Sequence, residues 1–271
     1  MAQIVKTANS ILINGDNLKV LPVLAKTGVK YDCIFTDPPY GTADEKGGKV
    51  GCHGGVVKQF NIEWDKELPT EWFSIAIDML KEGGCLIWWT DNIKTGMLRE
   101  LVDSSGKAKF MNTIAWCKPN PPPTPRKNFS SAIESAIIAR KNPKIAYWNG
   151  GGATRNVFED AICSGHERST TSHPTPKPIS LVAKLLKIVC PPGGRILDPF
   201  AGSFSTGMAA VLLGMKPTCI ELDETYFKEG VERMKDAENP YGPYSLDKDG
   251  NLKAEKTNRG QASLFDISGG K

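Results

Sequence analysis

The chain has 271 residues, 40% of them hydrophobic and 24% charged, with a formal net charge of +4. That is enough chain for a sizeable core and the balance of an ordinary globular protein, not of a disordered or fibrous one. No apolar run reaches the ~20 residues of a membrane span and the N-terminus carries no signal-peptide pattern. The seven cysteines (33, 52, 85, 117, 163, 190 and 219) are scattered without C-x-x-C spacing. They are expected to be reduced thiols of an intracellular protein, with no disulfide framework and no metal; Cys52-His53 lacks two further ligands nearby.

Taken in order, Ile11-Leu12-Ile13 predicts a short strand that ends at Asn14-Gly15-Asp16, where Asp16 by itself is a turn residue or helix cap. Tyr31 to Thr36 is a β-branched and aromatic run that closes on Asp37-Pro38-Pro39-Tyr40. Gly41 to Lys66 holds six glycines without apolar periodicity and predicts a long mobile loop. Glu71 to Lys81 has helical spacing and is expected to stop at Gly83-Gly84, before a buried strand over Cys85 to Trp89. A helix over Ile93 to Val102 and strands over Asn112 to Cys117 and Ile133 to Ala139 follow, the last two separated by a proline-rich loop. Residues 142–172 lack periodicity. Pro178 to Val189 is an apolar helix, and Arg195 to Asp198 a strand entering a small-residue turn. A helix over Met208 to Leu213, a strand over Pro217 to Glu221 and a helix ending near Lys235 complete the pattern. From residue 237 the chain is polar and predicts a flexible tail.

Alternating strands and helices predict an α/β fold with a doubly wound mixed sheet, in which ligands bind at the carboxyl ends of the strands. Asp37, Phe200 to Gly202 and Glu221 all fall at such ends. At the first, a carboxylate, rigid carbonyls and a flat ring suit the grip of an exocyclic amine on a flipped base; the same residues would also make a strand ending in a proline turn. At the second, Asp198-Pro199-Phe200-Ala201-Gly202-Ser203-Phe204-Ser205-Thr206 runs into a helix N-terminus, and Glu221 ends the next strand. That arrangement lets backbone N–H groups approach a ligand and offers a carboxylate to ribose hydroxyls. Between Asp103 and Glu159 the only acid is Glu134, amid nine basic residues and six aromatics. This is the footprint of a nucleic-acid face, or of a merely solvated basic one.

These motifs, with His173-Pro174-Thr175-Pro176-Lys177-Pro178 between them, resemble the D-P-P-Y amino-methyltransferases of DNA. Their order, with the D-P-P-Y motif ahead of the cofactor turn, resembles the permuted β class over roughly residues 8–236. The resemblance implies a Rossmann-like methyltransferase domain over 1–236, a small recognition subdomain over 142–172, and a tail over 237–271. It implies S-adenosylmethionine as cofactor, held by Asp16, Asp37, His173, Thr175, Lys177, Asp198, Phe200, Ala201, Gly202, Ser203, Phe204, Ser205, Thr206 and Glu221. Asp37, Pro38, Pro39 and Tyr40 are the implied catalytic residues. Lys118, Arg126, Lys127, Asn128, Lys144, Arg155 and Arg168 are the expected contacts to double-stranded DNA.

An Asp in the first motif position implies adenine N6 as the target, with cytosine N4 as the alternative. Cytosine C5 chemistry is excluded because the chain contains Cys190-Pro191 but no Pro-Cys nucleophile. The family turn has a second glycine where this chain has Phe204. A phenylalanine resists positive φ and is expected to crowd the cofactor, which leaves a catalytically inactive DNA-binding module as the reading of another class. Gln261-Ala262-Ser263-Leu264-Phe265 resembles the peptide by which bacterial proteins dock on the sliding clamp. A cytoplasmic, bacterial or phage-encoded protein of a restriction-modification system is implied, with its oligomeric state left open.

Overall fold

A computed structural model describes residues 2–41, 48–53, 56–61, 65, 67–122, 129–142, 144–163 and 165–253. The strands β1 (Gln3–Lys6), β2 (Ile11–Asn14), β3 (Tyr31–Thr36), β6 (Leu80–Thr90), β7 (Lys109–Cys117), β8 (Ile133–Arg140), β9 (Val157–Glu159), β10 (Arg195–Asp198) and β11 (Lys216–Glu221) form one sheet, in the order β1-β2-β11-β10-β3-β6-β8-β7-β9. The central strands β2, β11, β10, β3 and β6 are parallel; β8 runs antiparallel between β6 and β7, and β1 antiparallel to β2. The doubly wound mixed sheet is therefore present.

Period-two alternation sends side chains to both faces of this sheet. Cys33, Phe35, Cys85, Ile87 and Trp89 pack against α5 (Ile179–Val189), α6 (Ser205–Leu212) and α7 (Glu224–Glu238). Ile34, Leu86 and Trp88 face the other way, onto α1 (Asn17–Lys26), α2 (Glu71–Met79) and α3 (Thr95–Ser104). Two helices start on aspartate caps. Asp16 accepts from the Leu18 amide at 2.9 Å, and Asp223 from those of Thr225 and Tyr226 at 2.7 and 2.9 Å.

Four expectations are corrected. The 41–66 stretch contains two strands, β4 (Gly48–His53) and β5 (Val56–Asn61), paired antiparallel with His53 opposite Val56. Gly83-Gly84 does not end a helix: α2 passes directly into β6, which carries both glycines. Gly83 has φ +73°, and a side chain there would lie 2.3 Å from the Lys144 carbonyl, so the glycine serves a close chain crossing. The 142–172 segment is built into the domain. Its strand β9 pairs with β7, and its short helix α4 (Gly165–Ser169) carries a backbone carbonyl, that of Glu167, held by the Arg233 guanidinium at 2.8 Å. The expected tail packs on the core as far as Lys253: Tyr244 is buried, its hydroxyl 3.1 Å from Thr170 Oγ1, and Leu246 and Leu252 lie against the core. Residues 254–271, with the Gln261–Phe265 peptide, lie outside the described residues.

Candidate active site

The parallel strands all finish on one edge. Register puts Glu221 beside Asn14, Asp198 beside Cys219, and Thr36 beside Trp88. Antiparallel β8 starts on the same edge, with Ser135 beside Thr90 and Glu134 beside Trp116. Motifs far apart in sequence therefore share one rim.

At the end of β3, Asp37 Oδ1 accepts from the Tyr40 hydroxyl at 2.6 Å and Oδ2 from the Lys177 ammonium at 2.6 Å. Lys177 also lies 3.0 Å from the Tyr40 hydroxyl and 3.0 Å from Glu134 Oε2. The other Glu134 oxygen pairs with the Lys118 ammonium. The rings of Tyr40, Trp89 and Trp116 stand 5.4, 5.2 and 5.9 Å from Lys177 Nζ. The corner itself is fixed from outside: Asp65 accepts from the amides of Tyr40 and Gly41 at 2.5 and 2.9 Å, and Lys94 donates to the Tyr40 carbonyl.

Electrostatics follow from this packing. Burial pushes the Asp37 carboxyl up, and Lys177 opposes the shift without cancelling it. Burial would lower Lys177, but Asp37 and Glu134 together hold its ammonium above the ordinary lysine value. Burial also works against Glu134, yet Lys177 and Lys118 bring it down to about 2. Burial, with Asp37 alongside, drives the Tyr40 phenol well up.

The second half of the rim is the turn after β10. Asp198 Oδ1 accepts from Thr36 Oγ1 at 3.1 Å and the Phe200 amide at 3.0 Å, and burial raises its pKa to about 7. Glu221 accepts from the Gly202 and Asp223 amides at 2.6 and 2.8 Å, and burial raises it likewise to about 7. Gly202 has φ +50°, and a Cβ there would come 3.1 Å from His173 Nε2. The His173 ring meets Tyr226 edge-on at 4.8 Å, and its Nδ1 accepts from the Thr175 amide at 3.4 Å. Burial and the nearby Lys177 lower the imidazole to about 3, so it is neutral. Ser203 and Ser205 hydroxyls lie 3.0 Å apart, both buried, as is Thr206, while Ala201 donates its amide to the Ile220 carbonyl at 2.9 Å. Asp16 caps α1 at the end of β2, and the Gly15 amide meets the Glu221 carbonyl at 2.8 Å.

Phe204 corrects an expectation. It does adopt positive φ, +63°, at the cap of α6. Its ring turns away from the rim and is fully buried under α7, against Gly230 and 6.2 Å from Phe227. The resemblance put Lys177 with the cofactor; in the structure its ammonium donates to Asp37 and Tyr40 and forms an ion pair with Glu134.

Among the described residues, the basic stretch does not form one face. The β7–β8 hairpin sends its members to both edges of the sheet. Lys118 is drawn inward onto Glu134 and Trp116, its ammonium 4.7 Å from that ring. Lys144 adjoins Gly83, at the edge opposite Thr90 and Asp37. Arg140 is buried there, donating to the Gly83 carbonyl at 3.0 Å. Arg155 is exposed just before β9, and Arg168 in α4 donates to the Thr171 carbonyl at 2.8 Å. Arg126, Lys127 and Asn128 lie outside the described residues. Sequence reasoning missed Glu134, Trp89, Trp116 and Lys94; the one available signal was Glu134 standing as a lone acid in a basic stretch. Among the described residues, no group of three or more His, Cys, Asp or Glu side chains could hold a metal ion, and no helix is long and apolar enough to cross a membrane.

The family of N6 and N4 methyltransferases described as DNA methylase matches residues 31–232. The Type II methyltransferase M2.DpnII of Streptococcus pneumoniae is 30% identical over 248 residues, covering 84% of this chain and 90% of its own. Type II methyltransferase M2.MboI of Moraxella bovis is 30% identical over 221 residues, covering 74% and 80%. Among solved structures, the M1.HpyAVI–SAM complex aligns with a TM-score of 0.65 at 22% identity, over 82% of this chain and 98% of that one. The cytosine-N4-specific PvuII DNA methyltransferase aligns at 0.63 and 17% identity, over 84% and 87%.

Proposed function

Because this chain belongs to the S-adenosylmethionine-dependent DNA methylase family, we propose that it methylates the N6 amine of an adenine flipped from double-stranded DNA at a specific sequence. The observation that carries this is the Asp37 carboxylate at the end of β3, fixed beside Pro38 and the Tyr40 ring. An adenine N6 lone pair is delocalised into its ring and is a poor nucleophile. Holding both amine hydrogens, one by the Asp37 carboxylate and one by the Pro38 carbonyl, aims that lone pair at the donor methyl, while Tyr40 stacks on the base. Positioning and electrostatics then carry the rate. The Asp in the first motif position favours adenine; cytosine N4 offers the same geometry to the same groups.

The rim fits the donor. S-adenosylmethionine carries a sulfonium charge and a ribose diol, and Asp16, Asp198 and Glu221 line the rim with carboxylates. Gly202 keeps the backbone open beside His173. When bound, the cofactor supplies an already activated methyl group. Glu221 would take the ribose hydroxyls, Asp16 would lie toward the adenine, and Phe200 to Ser203, Ser205 and Thr206 with His173 and Thr175 would wall the pocket. With its ring turned under α7, Phe204 leaves that pocket open, which weakens the inactive-module reading.

For DNA, we assign phosphate contacts to Arg126, Lys127, Asn128, Arg155 and Arg168, with 142–172 reading the site. The family role implies a cytoplasmic, DNA-associated protein, and Gln261, Ser263, Leu264 and Phe265 would tether it to a sliding clamp. The deciding experiment incubates the protein with duplex DNA and S-adenosylmethionine, digests the DNA and resolves its nucleosides by mass. N6-methyladenine is the expected product; N4-methylcytosine would select the alternative, and no methylated base would reject both.

A further inference from the structure

We propose that Glu134 is a positioning residue for methyl transfer, receiving the Lys177 ammonium when the target amine takes its place on Asp37. This rests on the reading of Asp37 as the acceptor for that amine. Both Asp37 oxygens are engaged in the structure, Oδ1 by Tyr40 and Oδ2 by Lys177, each at 2.6 Å. A carboxylate neutralised by an ammonium is a poor acceptor for a neutral amine, and Lys177 stands on its approach. Lys177 must therefore withdraw, and a buried ammonium needs another anion.

Glu134 is that anion. Its Oε2 lies 3.0 Å from Lys177 Nζ, is buried, and has no hydrogen-bond donor in alignment. Its Oε1 is already fixed by Lys118. Two carboxylates and two ammoniums make the cluster neutral, and moving Lys177 from one carboxylate to the other keeps it so. Tyr40, Trp89 and Trp116 surround the ammonium and confine it between the two. Glu134 acts through Lys177 and does not touch the base.

The test is single-turnover methyl transfer to duplex DNA, at saturating S-adenosylmethionine and across pH, with the full chain. Glu134→Gln should slow transfer by about 10²-fold with cofactor affinity unchanged. The groups facing Asp37 are Lys177, Tyr40 and Glu134, with Asp198 behind it; Lys118 and Asp65 face Glu134 and Tyr40. Glu134 raises the Asp37 pKa and Lys177 lowers it, so removing the Glu134 charge should move the acid limb of the rate profile to lower pH. Because Glu134 works through Lys177, the double variant with Lys177→Gln should be no slower than Lys177→Gln alone. A wild-type rate in Glu134→Gln, an unmoved acid limb, or multiplicative losses in the double variant would each overturn the proposal. Should Glu134→Gln fail to fold by thermal melt, Glu134→Asp decides: it keeps the charge but withdraws it from Lys177. A slowed rate with unchanged cofactor affinity supports the proposal and a wild-type rate overturns it. Failure of the underlying reading looks different, since Asp37→Asn would then retain turnover.

Discussion

Phe204 occupies the space that a side chain at Gly230 would need: a Cβ at Gly230 would fall 2.0 Å from Phe204 Cδ2. The left-handed backbone at Phe204 costs about 1–2 kcal/mol. Burying the whole ring is worth more, since deleting a buried phenylalanine costs about 3–5 kcal/mol. Gly230→Ala is therefore expected to destabilise the protein by roughly 1–3 kcal/mol. Phe204→Gly should also destabilise it, despite relieving φ. Denaturant midpoints of both variants check this, and a stabilised Phe204→Gly would contradict the balance.

Asp37→Ala should reduce methyl transfer by ~10²–10³-fold or more, because the acceptor acts where charge develops in the transition state. S-adenosylmethionine affinity should change far less. Near-normal turnover would remove Asp37 from the chemistry.

Cofactor affinity should rise from pH 6 to pH 8. Glu221 is raised to about 7 by burial, so it is largely protonated at the lower pH and ionised at the higher. An ionised carboxylate is the better acceptor for ribose hydroxyls and the better neighbour for a sulfonium. Glu221→Gln should bind more weakly and with a flatter pH dependence in calorimetric titration. Asp198, also near 7, would leave some slope behind.

Arg155→Glu, and Arg126→Glu with Lys127→Glu, should weaken DNA binding. Each phosphate that goes unneutralised should also flatten the log–log salt slope by about 0.9. Lys144→Glu, at the opposite sheet edge, should alter neither. Equal effects at all these positions, measured by anisotropy across salt, would reduce the basic stretch to a solvated surface.

The intact protein should bind a bacterial sliding clamp, and a Leu264→Ala, Phe265→Ala variant should not, while both methylate free DNA alike. A pull-down with purified clamp decides it. Binding that survives the double substitution would discard the peptide.

The strand ends and their chemistry were legible in the residue order alone. A β-branched run stopped by two prolines forces a corner at Asp37, and a small-residue turn before α6 forces another at Gly202; both are short-range effects of backbone sterics. The same locality explains the failures. Whether Gly83-Gly84 stops a helix or passes through a strand depends on the segment near Lys144 that crosses it. Whether nine basic residues make one face depends on a hairpin that sends Lys118 inward and leaves Lys144 at the far edge. Lys177 reaches Asp37 across 140 positions of chain, and Glu134 meets Lys177 because β8, running against β6, starts at the same rim. A buried charge goes to whichever opposite charge the fold brings within reach, and the packing of distant segments selects which one that is.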